Sequence, residues 1–185
     1  IECADIDQNI IGNKLKYKLA HKGETTSLPA DEVKYYQYYI ADGDSTVLGV
    51  KVLRFKVCSA PKFLMKGEVK ILDNAGWGTV VYEGYPASLV MVASSVYNGK
   101  NYVITYDHYV YREDWGYGIS LLESHKNLAK KKMGKYMAKI FPECQDLKNL
   151  LEEKGIKGID HFWKNASETE GYIRFMQEFN NCIKK

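Results

Sequence analysis

Few side chains in this sequence stand at the spacings that chemistry needs. The four histidines, His21, His108, His125 and His161, are too scattered to share a metal ion. One of them alone can ligate a haem iron, but His108 has the opposite strand parity to Asp107 and the others fall in loops or near helix ends, so they read as ordinary surface histidines. There is no Gly-x-Ser-x-Gly elbow, no His-Glu-x-x-His, and no glycine loop shaped for a phosphate or a dinucleotide. Adjacent carboxylates such as Glu113-Asp114 fall in a turn, where a solvated charge is the default. The expectation is a protein that is not an enzyme, with no catalytic residue, no metal and no cofactor. One carboxylate, Asp107, is set in the β-branched and aromatic run Tyr102 to Tyr111. An acid in apolar surroundings is costly unless it is paired or hydrogen-bonded.

Composition narrows the partners. The chain has 185 residues, 45% of them hydrophobic, enough for one globular domain with a core. Lys and Arg number 26 against 23 Asp and Glu, and only Arg54, Arg112 and Arg174 are arginines, so nucleic acid is not an expected partner. No apolar run reaches the roughly 20 residues that span a bilayer, and a soluble protein without a transmembrane segment is expected. A start at Ile1 rather than Met reads as a mature chain from which a secretory signal has been removed. Cys3, Cys58, Cys144 and Cys182 are even in number and lack C-x-x-C spacing, which suits two disulfides in an oxidising, extracellular location. Four cysteines allow three pairings. Asn165-Ala166-Ser167 is a glycosylation acceptor.

The elements that would position Asp107 are short strands. Turn signals cut the chain into Lys14 to Ala20, Lys34 to Ala41, Thr46 to Val57, Leu64 to Leu72, Gly78 to Glu83, Ser88 to Tyr97, Tyr102 to Tyr111 and Tyr117 to Ser124. Asp73-Asn74-Ala75-Gly76 and Asn98-Gly99 read as turns, the latter as a primed hairpin turn. Eight strands joined this way predict a mainly β fold, an eight-stranded antiparallel up-and-down barrel, with an interior suited to one small ligand. After Ser124 the period changes to helical. Ala129, Met133, Tyr136, Met137 and Ile140 share a face opposite Lys130, Lys131, Lys132 and Lys135. A second helix carries Leu147, Leu150 and Leu151, and a third opens on the capping box Ser167-Glu168-Thr169-Glu170. The whole chain, 1 to 185, reads as one domain with a barrel over about 12 to 124 and a C-terminal helical extension over about 126 to 181.

The strand count, the helix after the last strand and the spread of cysteines resemble the lipocalin family, in the divergent manner of its arthropod salivary members. Ile11-Gly12-Asn13-Lys14-Leu15-Lys16-Tyr17 is similar to the family's opening Gly-x-Trp, with Lys14 at the tryptophan. Ser95-Val96-Tyr97 before Asn98-Gly99 is similar to its second motif, and Leu121-Leu122-Glu123-Ser124 to its third, without the arginine. An ion pair between Lys14 and Glu123 is one replacement for the missing Trp and Arg stack; Ser124 is an equal candidate for the arginine position, and two solvated charges are the alternative. The resemblance implies disulfides Cys58 to Cys182 and Cys3 to Cys144. It also implies that Val103, Thr105, Asp107 and Tyr109 point into the barrel, with Met65, Val69, Ile71, Ile119 and Leu121 as further lining.

A carboxylate there would meet a ligand amine, helped by hydroxyls and ring faces. The competing register turns Asp107 outward, or leaves it hydrated at the mouth. The implied function is sequestration or carriage of a small hydrophobic, amphipathic or aromatic molecule, such as a biogenic amine or lipid mediator. The alternative is a protein-interaction or inhibitor module with a filled barrel, which would use the C-terminal helices around His161-Phe162-Trp163.

Overall fold

The computed structural model describes residues 5–7, 14–20, 22–42, 46–58, 70–121, 138–153, 162 and 164–184. The fold is mainly β with a C-terminal helix. The chain divides into two compact units, Ile1–Arg54 and Phe55–Lys185.

In the first unit, β1 (Asp5–Asp7), β2 (Lys14–Lys18) and β3 (Thr25–Pro29) form a three-stranded antiparallel sheet. Leu15 is the buried member of its strand and pairs with Leu28. Lys14 is exposed, and its proposed partner Glu123 lies outside the described residues. A 3-10 turn, Ala30–Glu32, leads into β4 (Tyr35–Asp42), which pairs antiparallel with the start of β5 (Thr46–Cys58). Four tyrosines in β4 alternate between its faces. Tyr36 and Tyr38 are half-buried with rings 6.3 Å apart, whereas Tyr35 and Tyr39 are exposed, and Lys51 lies over the Tyr35 ring.

The second unit holds the end of β5, then β6 (Ile71–Tyr82), β7 (Ala87–Tyr97), β8 (Tyr102–Arg112) and β9 (Tyr117–Ser120). Strands β6 to β9 pair antiparallel in sequence order, and β9 also lies parallel to β5 through Lys56↔Tyr117, Val57↔Gly118 and Cys58↔Ile119. The described strands therefore make sheets of three and six rather than one eight-stranded meander, and a parallel pair enters where every pair was expected antiparallel. Asp73-Asn74-Ala75-Gly76, expected to turn, runs inside β6; sheet pairing overrides a local turn preference. The strand expected over Leu64 to Leu72 lies outside the described residues up to Val69.

The β7–β8 hairpin forms as expected, eleven residues a side, from Ala87↔Arg112 to Tyr97↔Tyr102. Its turn is centred one residue later than Asn98-Gly99 suggests. Gly99 takes the left-handed φ of 92° at the first central position, while Asn98 Oδ1 accepts from the backbone N–H groups of Lys100 and Asn101 at 3.0 and 2.9 Å.

Two helices follow, α1 (Gln145–Glu153) and α2 (Glu168–Ile183). The helix expected before them lies outside the described residues apart from a turn at 138–140. The capping box forms: Glu170 N–H donates to Ser167 Oγ, and Ser167 N–H donates to the Glu170 carboxylate. The apolar face of α2 buries Tyr172, Phe175, Met176 and Phe179 in one core with Phe141, Leu147, Leu151 and Phe162, and with Leu89, Val110, Ile119 and Leu121 of the sheet.

Asn180 anchors α2 to the β6–β7 connection. Its amide accepts from Ala87 N–H at 3.2 Å and donates to Ala87 C=O at 2.8 Å, and all three groups are buried. Asn180→Leu strands both backbone groups, each costing about 1–3 kcal/mol when left unpaired in the interior. A lowered urea midpoint is expected.

Candidate functional site

Alternation along β8 separates two environments. His108, Val110 and Arg112 are buried, so His108 is not the surface histidine expected, because the helix covers its face; Asp107, Tyr109 and Tyr111, on the other face, are half-buried. The first row meets the helices: His108 Nε2 is 2.9 Å from Thr169 Oγ1, and its ring centre is 5.2 Å from that of Tyr172. The second row meets its own set of side chains. Asp107 pairs across the sheet with Val92, and Tyr109 with Val90. The Phe55 ring stands edge-on to Tyr109 at 5.4 Å and to Tyr111 at 6.1 Å. Gly118, opposite Tyr111, makes room for Phe55, because a Cβ there would lie 2.7 Å from two of its ring carbons.

The structure brings some sequence-picked residues together and separates others. Asp107 and Tyr109 are neighbours on one face. Thr105 shares that face and is exposed, its hydroxyl donating to Ser94 C=O at 3.4 Å, and Val103 follows, also exposed. Ile119 and Leu121 do not line this surface. Val110↔Ile119 and the Leu121 N–H bond to His108 C=O align them with the buried row, so both belong to the core under the helices. Ile71 is exposed at the start of β6, and Met65 and Val69 lie outside the described residues, as do His21, His125 and His161.

The cysteine pairing is corrected too. Cys144 bonds Cys182, with Cα atoms 6.0 Å apart, because the entry to α1 meets the last turn of α2. That excludes both Cys58 to Cys182 and Cys3 to Cys144. Cys58 is a buried free thiol pushed above its ordinary pKa by burial, partly offset by a backbone hydrogen bond with Lys70; Cys3 lies outside the described residues. Asn165 is exposed in a turn with φ 56°, two residues before the Ser167 cap.

Burial, and then the Asp107 charge, push the Tyr109 phenol above its ordinary pKa, so the ring stays neutral beside a carboxylate. Among the described residues no cation pairs with Asp107. Asp107 thus stands opposite Val92 and beside Tyr109, on the face where Phe55 meets Tyr109 and Tyr111. Phe55, Tyr111, Val90, Val92 and Gly118 escaped sequence reasoning. The signal for them is register, since an aromatic opposite a glycine becomes visible only when β8 and β9 are aligned.

Arg112, the buried arginine, is already satisfied. Its guanidinium donates to Asp114 at 3.0 and 2.8 Å and to Glu143 at 2.5 Å, and it lies 4.6 Å from the Trp115 ring centre. Burial opposes its charge, but the two carboxylates outweigh that and hold its pKa above the ordinary value. In return, hydrogen bonds from Arg112 hold the Asp114 carboxyl below the usual carboxylate range. A depressed folded-state value means the stabilisation is complete above the unfolded value of 3.8 and is lost as pH falls through the lower folded one. Urea midpoints are therefore expected to fall below about pH 4, near the unfolded carboxylate range, and less steeply in Asp114→Asn. An unchanged acid slope in that variant would remove Asp114 from the account.

No family model matches this chain, and neither a curated protein nor a solved structure does. Among the described residues no group of acids, histidines and cysteines could hold a metal ion, and no helix is long and apolar enough to cross a membrane.

Proposed function

We propose that this chain is a secreted, lipocalin-like binding protein that sequesters or carries a small amphipathic molecule bearing an amine, held on the sheet face of Asp107 and Tyr109. The observation that carries the reading is that Asp107 and the half-buried Tyr109 share a sheet face on which Phe55 stands edge-on to Tyr109 and Tyr111 and Val92 lies opposite Asp107. The Cys144 to Cys182 disulfide supports an oxidising compartment. Completion of the sheet into a cup by further strands is part of the proposal. The interaction-module alternative loses one of its residues, because Phe162 is buried in the core against Phe175.

Calorimetric titration with serotonin, histamine and a fatty acid tests the reading. Saturable amine binding that weakens at least about tenfold in Asp107→Asn, the scale of a charge-assisted contact, is expected. Tyr109→Phe removes the hydroxyl and keeps the ring, so a smaller loss is expected there. Fatty-acid binding unaffected by Asp107→Asn would move the ligand elsewhere, and no binding by any of the three would end the carrier reading.

A further inference from the structure

Beyond the part of the sheet that the helices cover, the β7–β8 hairpin exposes apolar side chains on both faces. Cross-strand pairing puts Tyr97, Tyr102, Ile104 and Tyr106 on one face, and Val96 and Val103 on the other. Tyr102 is 76% exposed, Ile104 62% and Tyr97 58%, and Val96 and Val103 are 48% and 43%. From Val96 to Tyr106 the one charged residue is Lys100, at the turn.

Exposed apolar surface this concentrated has a use or is an aggregation hazard. A protein partner docking on either face would leave the other in water. A lipid–water interface instead surrounds a hairpin tip and covers both faces at once. Tyrosine suits that boundary, with an apolar ring and a wet hydroxyl, and a lone lysine at the tip complements anionic headgroups.

We infer that the β7–β8 hairpin docks the protein on an anionic lipid surface, with Tyr97, Tyr102 and Ile104 at headgroup level and Lys100 against the lipid phosphates. This contact is peripheral and reversible, and it leaves the Asp107 and Tyr109 pair outside the docked tip.

The test is co-sedimentation of the full chain with phosphatidylcholine vesicles, with and without phosphatidylserine. Binding is expected to the phosphatidylserine vesicles, weakening with added salt. Lys100→Gln should weaken it about fivefold, the worth of one basic side chain near an anionic surface. Ile104→Asp should weaken it at least about tenfold through lost apolar contact. Both side chains are exposed, so both variants should keep the parent melting temperature; Tyr102→Ser serves in place of Ile104→Asp if the latter melts early. Tyr102→Trp should show a blue-shifted emission with vesicles. The proposal is overturned if the parent protein stays in the supernatant, or if Ile104→Asp and Tyr102→Ser bind as well as the parent. It is equally overturned if sedimentation velocity shows a dimer that these substitutions dissociate while vesicles are not bound, since a second copy would then own the surface.

Discussion

Truncating Phe175 to alanine is expected to remove about 3–5 kcal/mol of stability, the range for deleting a fully buried aromatic ring. Phe175 is completely buried on α2, with its ring centre 4.9 Å from Phe141 and 5.1 Å from Phe162. Phe141 in turn lies 4.4 Å from Phe179, one helical turn along. The loss combines the transfer of the ring to water with a cavity between elements that cannot all close on it, because α2 is also fixed by the Asn180 bonds to Ala87 and by the disulfide at Cys182. In thermal unfolding this corresponds to a midpoint lower by roughly 10 °C, at about 2–4 °C per kcal/mol for a chain of this size. Tyr39→Ala, at a side chain exposed on β4, is the contrast and should stay within about 0.5 kcal/mol of the parent. A Phe175→Ala loss no larger than that of Tyr39→Ala would mean that the rings do not share one core.

Removing the disulfide is expected to have the next largest effect. Cys144 and Cys182 are 38 residues apart in sequence, and a cross-link closing a loop of that length stabilises by about 4 kcal/mol in the chain-entropy account. The bond joins the residue before α1 to the last turn of α2, so without it the C-terminal end of α2 is free to fray from the sheet. The double variant Cys144→Ser with Cys182→Ser should unfold at a clearly lower urea concentration, and dithiothreitol should move the parent protein toward it without further effect on the variant. Peptide mapping under non-reducing conditions checks the pairing itself. A linked peptide containing Cys144 and Cys182 is expected, whereas Cys58 joined to Cys182 would reverse the assignment. Cys58, buried and with a raised pKa, should label with iodoacetamide only slowly until the protein is unfolded.

Local structure followed from local signals. The alternating run from Ser88 to Tyr111 formed its hairpin, and Ser167 with Glu170 formed its cap, because each depends on residues a few positions apart. Strand parity also placed Asp107 and His108 on opposite faces. Parity could not say which face the helices would cover. That was decided by the burial of Phe175 and Phe179 against the row of Val110, which consumed His108 and left Asp107 with Tyr109 and Phe55.

Alignment between strands was equally out of reach. Ile119 and Leu121 alternate as sheet residues should, but the register Val110↔Ile119 assigns them to the core, where a shift of one residue would have put them beside Asp107. Asp73-Asn74-Ala75-Gly76 has the composition of a turn and lies in β6 because the strand continues through it. The cysteines carry no local preference at all, so their pairing follows from where α1 and α2 end in space. The sequence by itself determined the β-rich hairpin, the helical C-terminus and the opposite faces of Asp107 and His108. Only the tertiary structure decided which faces met and which sulfurs joined, because register and packing are contacts between residues far apart in the chain, and no local pattern encodes them.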